Sequence, residues 1–166
     1  MLIRKGNIND FDEVWKIYEA SKQFMIEHNN PNQWGLLYPT QDDVKENLEK
    51  DGYVVLDNDK IVGAFVFIKN ADEETYNTIY DGVWLNDKPY GLIEALATFG
   101  ARTGVGQFVL EWCQDKCKNI KVSTHKDNYP MINLLAKNGY IKCGNIVYSD
   151  VGERVAFQKE VEYEQI

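Results

Sequence analysis

Two glycines separated by a single residue, Gly104 and Gly106, form the part of this sequence best suited to chemistry. They lie in the segment Phe99-Gly100-Ala101-Arg102-Thr103-Gly104-Val105-Gly106, between an apolar run and the start of an amphipathic helix. The helix is indicated by apolar residues at the spacing i, i+3, i+4, i+7 and i+8, which are Val105, Phe108, Val109, Trp112 and Cys113. A glycine-bearing loop that leads into a helix leaves backbone N–H groups unpaired at the positive end of the helix dipole. The segment therefore predicts a site for a phosphate or pyrophosphate group.

This loop differs from two common nucleotide-binding patterns. A nucleoside-triphosphate loop has a lysine after its second glycine, where this chain has Gln107. A dinucleotide fold places the loop after its first strand, whereas here it comes about two-thirds of the way along the chain. A tight strand-to-helix turn that binds nothing is the alternative to a phosphate site.

The composition predicts a single folded domain over residues 1–166. The chain is 44% hydrophobic and 13% aromatic, which is typical of a globular protein. No apolar run is long enough to cross a bilayer, and no charged-then-apolar leader begins the chain, so we expect neither a membrane span nor a secretory signal. The net charge of −8 disfavours nucleic acid and anionic membranes as partners, and it favours a cationic small molecule or a peptide amine.

The cysteine count indicates a reducing compartment. Cys113, Cys117 and Cys143 are odd in number and do not form a metal-ligand cluster. We interpret them as reduced thiols of a cytoplasmic protein. Although Cys113 and Cys117 lie one helical turn apart, two thiols are too few for a metal site, so no metal is expected.

Alternating patterns and turn residues predict the strands of a mixed sheet. The expected strands are 2–5, 53–56, 61–68, 90–98 and 120–124, followed by a hairpin of 140–148 and 155–161, while 79–85 is ambiguous. Because strands alternate with helices in the centre and hairpins flank it, we expect one α/β domain.

Capping residues predict where the helices begin. Asn9 or Asp10 is expected to cap a first helix, and Thr40 with Asp43 resembles a capping box for a second. A third helix should run from Gly104 to about 117, and a fourth should begin near Pro130 and end at Gly139. Residues 28–39 show no periodicity and carry loop-forming residues around Trp34 and Tyr38.

The order of these elements, together with two motifs, resembles the GNAT acetyltransferase superfamily over nearly the whole chain. The first motif is the segment 96–106 with the helix that follows it. The second is similar to the asparagine, helix, glycine and aromatic segment of the family, and it reads Asn128-Tyr129-Pro130-Met131-Ile132-Asn133-Leu134-Leu135-Ala136-Lys137-Asn138-Gly139-Tyr140. The Asn-Pro-Asn-Gln-Trp and Tyr-Pro pieces of 30–39 also look like those of small bacterial members.

The resemblance implies a fold and a cosubstrate. The fold would be a mixed, mostly antiparallel central sheet flanked by helices, with splayed strands at the cofactor site. Acetyl-CoA would lie with its pantetheine arm between the strands at 94–96 and 120–124, hydrogen-bonded like an added strand. The implied cofactor contacts are Ala95, Leu96, Ala101, Arg102, Thr103, Gly104, Val105, Gly106, Asn128 and Met131. For Arg102 a solvated loop side chain is the alternative, and for Asn128 it is a helix cap.

Two positions depart from the family pattern. Ala101 stands first in the loop, where the family has glutamine or arginine, so a side-chain contact is lost while the backbone donors remain. Leu135 stands where the family often has a tyrosine that protonates the leaving thiolate. A thiolate can leave with little general-acid catalysis, because the pKa of the corresponding thiol is about 8.5. Tyr129 and Cys143 are possible substitutes, with core packing as the alternative for each.

Direct transfer to an amine requires a group that accepts the amine proton. Glu94, on the strand beside the expected thioester, is the first candidate, and a surface-facing carboxylate is the alternative. His125, at the end of the adjacent strand, is the second, since its ordinary pKa lies near 6.5. The alternative for His125 is a structural role, in which it anchors the loop before Asn128. The family further implies that a backbone N–H near Leu96 stabilises the oxyanion.

Four aromatic residues are candidates for the walls of the acceptor pocket, because aromatic faces attract cations and pack on methylene groups. They are Trp34, Tyr38, Trp84 and Tyr90, each with a core role as the alternative.

These observations favour an acetyl-CoA-dependent N-acetyltransferase that acts on a primary amine of a small molecule or peptide. A sensor that binds acyl-CoA without turnover is the second hypothesis, because Ala101 and Leu135 depart from the family pattern. A structural or partner-binding protein is the third. The hairpin edges of the sheet also allow a homodimer.

Overall fold

A computed structural model describes residues 1–34, 38–100 and 102–162. Its seven strands are β1 Leu2–Lys5, β2 Gly52–Asp57, β3 Lys60–Ile68, β4 Gly91–Thr98, β5 Asn119–Thr124, β6 Ile141–Tyr148 and β7 Gly152–Glu160. They form one sheet in the order β1-β2-β3-β4-β5-β7-β6. Every neighbouring pair is antiparallel except β4 and β5, which are parallel. The prediction of a mixed, mostly antiparallel sheet is confirmed.

Among the described residues, four α-helices cover the two faces of this sheet. They are α1 Phe11–Glu27, α2 Gln41–Glu49, α3 Val105–Lys116 and α4 Tyr129–Lys137. The apolar stripe of α3, with Leu135 of α4, packs against one face at Phe65, Phe67 and Ile93. Helices α1 and α2 pack against the other face around Val54 and Ala64. The sheet, including the ends of β4 and β5, therefore lies between two layers of helices.

Asp10 occupies the N-cap position of α1, one of the two positions predicted, but its side chain makes no capping hydrogen bond to that helix. Asn7 is the capping side chain, and it accepts the Asn9 N–H at 2.9 Å at the start of a short 3-10 helix, Ile8–Asp10. Asp10 instead accepts the Asn7 N–H and pairs with Arg4 at 2.8 Å. This ion pair holds the Asp10 carboxylate away from the first turn of α1. The capping box of Thr40 and Asp43 at α2 is present as predicted.

The segment 69–90, between β3 and β4, folds over the sheet without forming the strand that was ambiguous at 79–85. Only Tyr80 pairs with a strand, through an isolated antiparallel bridge to Asn145. The ladder ends there because Asp81 adopts a φ of 55°, which turns the chain away. The segment contains a short 3-10 helix, Glu74–Asn77, whose Tyr76 is buried. Tyr76 packs with Tyr90, Leu92 and Ile146.

Within the described residues, no helix combines the length and the hydropathy that a bilayer span requires. The same residues hold no group of three or more His, Cys, Asp or Glu side chains arranged to bind a metal ion.

Candidate active site

A wedge opens between β4 and β5 where their pairing stops. The two strands are paired only from Gly91 with Ile120 to Ile93 with Val122. Beyond that point β4 continues to Thr98 and β5 to Thr124 without pairing to each other. The strands are therefore splayed, as predicted, and the facing backbone groups from Glu94 and Ser123 onward are available to a ligand.

A β-bulge in β4 helps to turn it away from β5. Val66 of β3 pairs with Glu94, but Ala64 pairs with Ala97, so β4 has one extra residue in this stretch. Ala95 adopts a φ of 49°, which is uncommon for a residue other than glycine. The hydroxyl of Tyr18 in α1 donates to the Ala95 carbonyl at 2.6 Å and holds this conformation. A bulge bends its strand and increases the local twist, which favours the wedge.

Two adjoining cavities lie at the wedge. A narrow one of about 50 Å³ runs between the strands, from Leu96 to Thr124, Asn128 and Met131. A wider one of about 430 Å³ lies beside it. Both cavities are lined by Gln33, Trp34, Ile93, Glu94, Ala95 and Ser123. A ligand that threads between the strands would therefore emerge beside Glu94 and face the wider cavity.

Glu94 is a half-buried carboxyl group at the junction of the two cavities. It accepts a hydrogen bond from the Tyr148 hydroxyl at 3.3 Å. Burial raises the pKa of the Glu94 carboxyl, the charge of Glu73 raises it further, and the Tyr148 hydrogen bond opposes the shift. A carboxylate with a raised pKa is a better proton acceptor than one in water.

His125 is placed less well for proton transfer. Its Nδ1 accepts the Asp127 N–H at 3.1 Å, so in the neutral ring the proton lies on Nε2 and no lone pair is left free. Burial and then the charge of Arg154 lower the pKa of His125, while Asp127 opposes the shift. His125 is absent from the lining of both cavities. The structure brings Glu94, and not His125, to the junction.

Gln33 ties the loop after α1 to the end of β5. Its Oε1 accepts from Asn30 at 3.0 Å, from Thr124 at 3.3 Å and from Asn128 at 2.8 Å. Asn128 also caps α4, where its Oδ1 accepts the Met131 N–H at 3.3 Å. The capping alternative for Asn128 is therefore present, although the residue still lines the narrow cavity with Met131.

The glycine loop presents a helix N-terminus. The N–H groups of Gly106 and Gln107 have no hydrogen-bond partner in the described part of the chain, and the first turn of α3 carries no acidic residue. Gly104 adopts a φ of 82°, and a Cβ built there would meet nothing within 4 Å, so space for a bound group lies beside it. At Gly106 a Cβ would lie 2.7 Å from Leu134, which explains this glycine by helix packing.

The other predicted residues of the loop differ in their positions. Thr103 is exposed, whereas the Val105 side chain is buried in the core. Arg102 donates from Nε to Asp57 at 2.7 Å and from Nη1 to the Thr103 carbonyl, so its guanidinium is already partly engaged. Ala101 lies outside the described residues.

Two of the four candidate aromatic residues line the wider cavity. Trp34 and Tyr38 do so, and their rings pack edge to face with centroids 6.3 Å apart. Burial raises the pKa of Tyr38 to about 12, so its phenol stays protonated at neutral pH. Trp84 is stacked on Tyr76 instead and is absent from the lining of both cavities, so the structure gives it a packing role.

Tyr90 is likewise absent from the cavity lining. With Trp84 it encloses the ammonium of Lys121, which lies 4.2 Å from the Tyr90 ring centroid and 4.1 Å from that of Trp84. These two rings therefore stabilise a buried cation of the protein itself.

Sequence reasoning missed several residues that line the wider cavity, which are Gln33, Glu73, Ser123, Tyr148, Asp150 and Arg154. Gln33 adjoins Trp34 in the loop, which was a candidate. Arg154 follows the charged Glu153 and precedes the apolar run Val155-Ala156-Phe157, so no local signal distinguishes it from a surface charge at the start of a strand.

Comparison with known proteins finds solved structures with the same fold. No protein-family model and no curated protein sequence matches the chain. A GNAT-family acetyltransferase from Streptococcus agalactiae is similar, with a TM-score of 0.89 and 25% identity over 98% of this chain and 96% of that one.

Two further solved structures share the fold at lower identity. The ribosomal-protein-alanine N-acetyltransferase of Brucella melitensis has a TM-score of 0.63 and 14% identity, over 97% of this chain and 100% of the other. A chain of the NatC complex, solved with Gag peptide and CoA, has a TM-score of 0.63 and 18% identity, over 97% and 98%. The chain therefore has the fold of the GNAT acetyltransferases, as the sequence resemblance implied, and it is similar to solved members of that superfamily.

Proposed function

We propose that this protein transfers the acetyl group of acetyl-CoA directly to a primary amine of a small molecule or peptide. The observation that carries the proposal is the junction of the two cavities at Glu94. A thioester held between β4 and β5 would end where an amine in the wider cavity meets a carboxylate of raised pKa. Proximity of this kind supplies much of the rate of a two-substrate reaction.

The chain fits acetyl-CoA at both ends of the wedge. Unpaired backbone groups of β4 and β5 can hydrogen-bond to the amides of a pantetheine arm. The open N-terminus of α3, with the space beside Gly104, suits the diphosphate. The arm would pass Leu96, Asn128 and Met131, which line the narrow cavity. One structural relative was solved with CoA, which supports this assignment.

In this mechanism Glu94 accepts the proton that the amine loses. The amine nitrogen forms a bond to the thioester carbon, the C–S bond breaks, and the thiolate leaves with the electron pair. Backbone N–H groups at the bulge near Leu96 would stabilise the oxyanion. Leu135 is fully buried and cannot donate a proton, so water is the proposed acid for the thiolate.

The experiment is a measurement of thiol release from acetyl-CoA across a panel of amines, amino acids, peptides and aminoglycosides, with mass spectrometry of the products. Acetylated amine with stoichiometric CoA supports the proposal. Absence of product across the panel contradicts it.

The buried Leu135 is the observation that favours the second candidate, an acyl-CoA sensor without turnover. A sensor predicts binding of CoA and no acetylated product for any acceptor. The cytoplasmic location and a homodimer remain predictions, and size-exclusion chromatography with light scattering tests the latter.

A further inference from the structure

Arg154 is a buried cation in the wall of the wider cavity without a carboxylate partner. The residue is 5% exposed and lines the cavity on β7. Its Nη1 donates to the Glu153 carbonyl and its Nη2 to the Gln33 carbonyl. It forms no ion pair with any carboxylate of residues 1–34, 38–100 and 102–162. Buried charges are normally paired, so a guanidinium that faces a cavity without a carboxylate partner is suited to binding an anionic group of a ligand.

The carboxylates of the cavity do not serve as that anion. Asp150 is exposed at the rim, and its influence on Arg154 is a longer-range attraction and not a contact. Glu73 accepts the Thr75 N–H at 3.4 Å at the start of the 3-10 helix. Glu94 is bonded to Tyr148. The remaining N–H groups of Arg154 are thus available to a ligand.

Arg154 and Glu94 face the same cavity, so one ligand can reach both side chains. Strand β5 lies between β4 and β7, and the side chains of Glu94 and Arg154 both line the wider cavity. Both side chains are long and extend into that space. An amine at Glu94 and an anion at Arg154 can therefore belong to one small molecule.

We propose that the acceptor is an amino acid, whose amine lies at Glu94 and whose carboxylate is bound by Arg154. This inference rests on the proposed acetyl transfer and names the acceptor class for the same site. Arginine binds a carboxylate through two parallel N–H donors, which fixes the orientation of the molecule as well as its affinity. A second cation at this position would instead meet the guanidinium, which disfavours polyamines.

The test compares each amino acid with its amide and with the amine that lacks the carboxyl group, for example lysine, lysinamide and 1,5-diaminopentane. Wild-type protein should favour the free acid by at least about 10-fold in kcat/KM, the factor expected from a charged hydrogen bond. Arg154→Gln should remove this preference by lowering the value for the acid alone, and Arg154→Lys should retain part of it. If Arg154 only balances the neighbouring carboxylates, Arg154→Gln will change all three substrates alike, which overturns the inference.

A second measurement uses only the wild-type protein, so it remains informative if the Arg154 variants fail to fold. Phenylglyoxal labelling of Arg154 in wild-type protein, mapped by mass spectrometry, should be slowed by the amino acid and not by its amide. Equal labelling rates overturn the inference. If the protein acetylates amines that lack a carboxylate as well as it acetylates amino acids, the inference is also overturned, while the proposed function stands. If no amine is acetylated, the proposed function fails, and the labelling result alone decides whether Arg154 binds a carboxylate.

Discussion

Glu94 illustrates how the environment of one side chain can prepare it for chemistry. Burial and the nearby Glu73 both raise the pKa of its carboxyl group, which costs stability when the group is ionised. The hydrogen bond from Tyr148 offsets part of this cost. The folded structure therefore disfavours the ionised carboxyl group, and this makes the carboxylate a better proton acceptor.

Replacing Glu94 with glutamine should lower kcat/KM at neutral pH by about 10²-fold to 10⁴-fold, the usual contribution of a general base. The activity should recover in part at high pH, because free amine then accumulates without help. A pH–rate profile from pH 6 to pH 10 measures this. An equal loss at every pH would remove Glu94 from the mechanism.

Tyr148→Phe serves as the matched variant, since it keeps the carboxyl group and removes the hydrogen bond that lowers its pKa. The acid limb of the pH–rate profile of Tyr148→Phe should move to higher pH than that of the wild type.

Glu94→Gln and Tyr148→Phe should change the stability of the folded protein in opposite directions. Because the Glu94 pKa is raised in the folded state, Glu94→Gln should gain stability over wild type as pH rises above the unfolded value near 4.5, and thermal melts at pH 4 and pH 7 test this.

At the scale of elements, the bulge in β4 depends on a contact from a distant helix. The Tyr18 hydroxyl of α1 is the donor to the Ala95 carbonyl, and its ring also packs on Trp34. Helix α1, the cavity wall and the bulge are thus connected through one side chain. The shape of the wedge follows from packing between layers as well as from the strands themselves.

Tyr18→Phe should lower the free energy of unfolding by about 1 kcal/mol, because the half-buried Ala95 carbonyl loses its partner. It should also lower kcat/KM, since the bulge would no longer be held in its strained conformation. Urea unfolding and steady-state kinetics measure the two effects. Tyr80→Phe is the control, because Tyr80 is 52% exposed and its hydroxyl makes no hydrogen bond within the described residues. A Tyr18→Phe protein with unaltered kinetics would show that the bulge does not need this contact.

The loop before α3 can be tested through Gly104. Gly104→Val should reduce CoA affinity by at least about 10-fold, because a branched side chain would occupy the space beside the helix N-terminus. The substitution also strains a backbone with φ of 82°. Gly152→Val is a matched control, since Gly152 has a φ of 88°, equally open surroundings, and a position at the start of β7, directly after the β6–β7 turn. Isothermal calorimetry should show weaker CoA binding for the first variant alone, and equal affinities would refute the phosphate assignment.

Local sequence patterns predicted the helices and strands well, whereas the arrangement of the candidate site depends on contacts between residues that are distant in the sequence. The hairpin of β2 and β3 follows from an Asn58-Asp59 turn in which both residues adopt positive φ. Nothing local indicated that Ala95 would also do so, because alanine has no preference for that conformation. Arg154 joins the cavity only because β7 inserts between β5 and β6, an order that periodicity does not specify. The wedge itself was predicted from the family resemblance.

At the scale of the whole molecule, the open wedge predicts that cofactor binding and stability are linked. Strands β4 and β5 share only three residue pairs, so they provide the weakest junction between the two halves of the sheet. A pantetheine arm that bonds to both strands would bind the folded state and not the unfolded chain. Stabilisation by such a ligand follows from mass action.

CoA without an acetyl group should therefore raise the melting temperature by about 5–10 °C at 100 times its Kd, since about 2.7 kcal/mol is gained and a chain of this size shifts by about 2–4 °C per kcal/mol. Differential scanning fluorimetry measures the shift, with pantetheine and adenosine 3′,5′-bisphosphate as separate halves of the ligand. Each half alone should give a smaller shift than CoA, because one binds the wedge and the other only the loop. A shift that is absent in Gly104→Val but present in Tyr18→Phe would locate the diphosphate at α3. If well-folded protein shows no shift with CoA, neither the transferase nor the sensor is correct, and the fold serves a purpose without this cofactor.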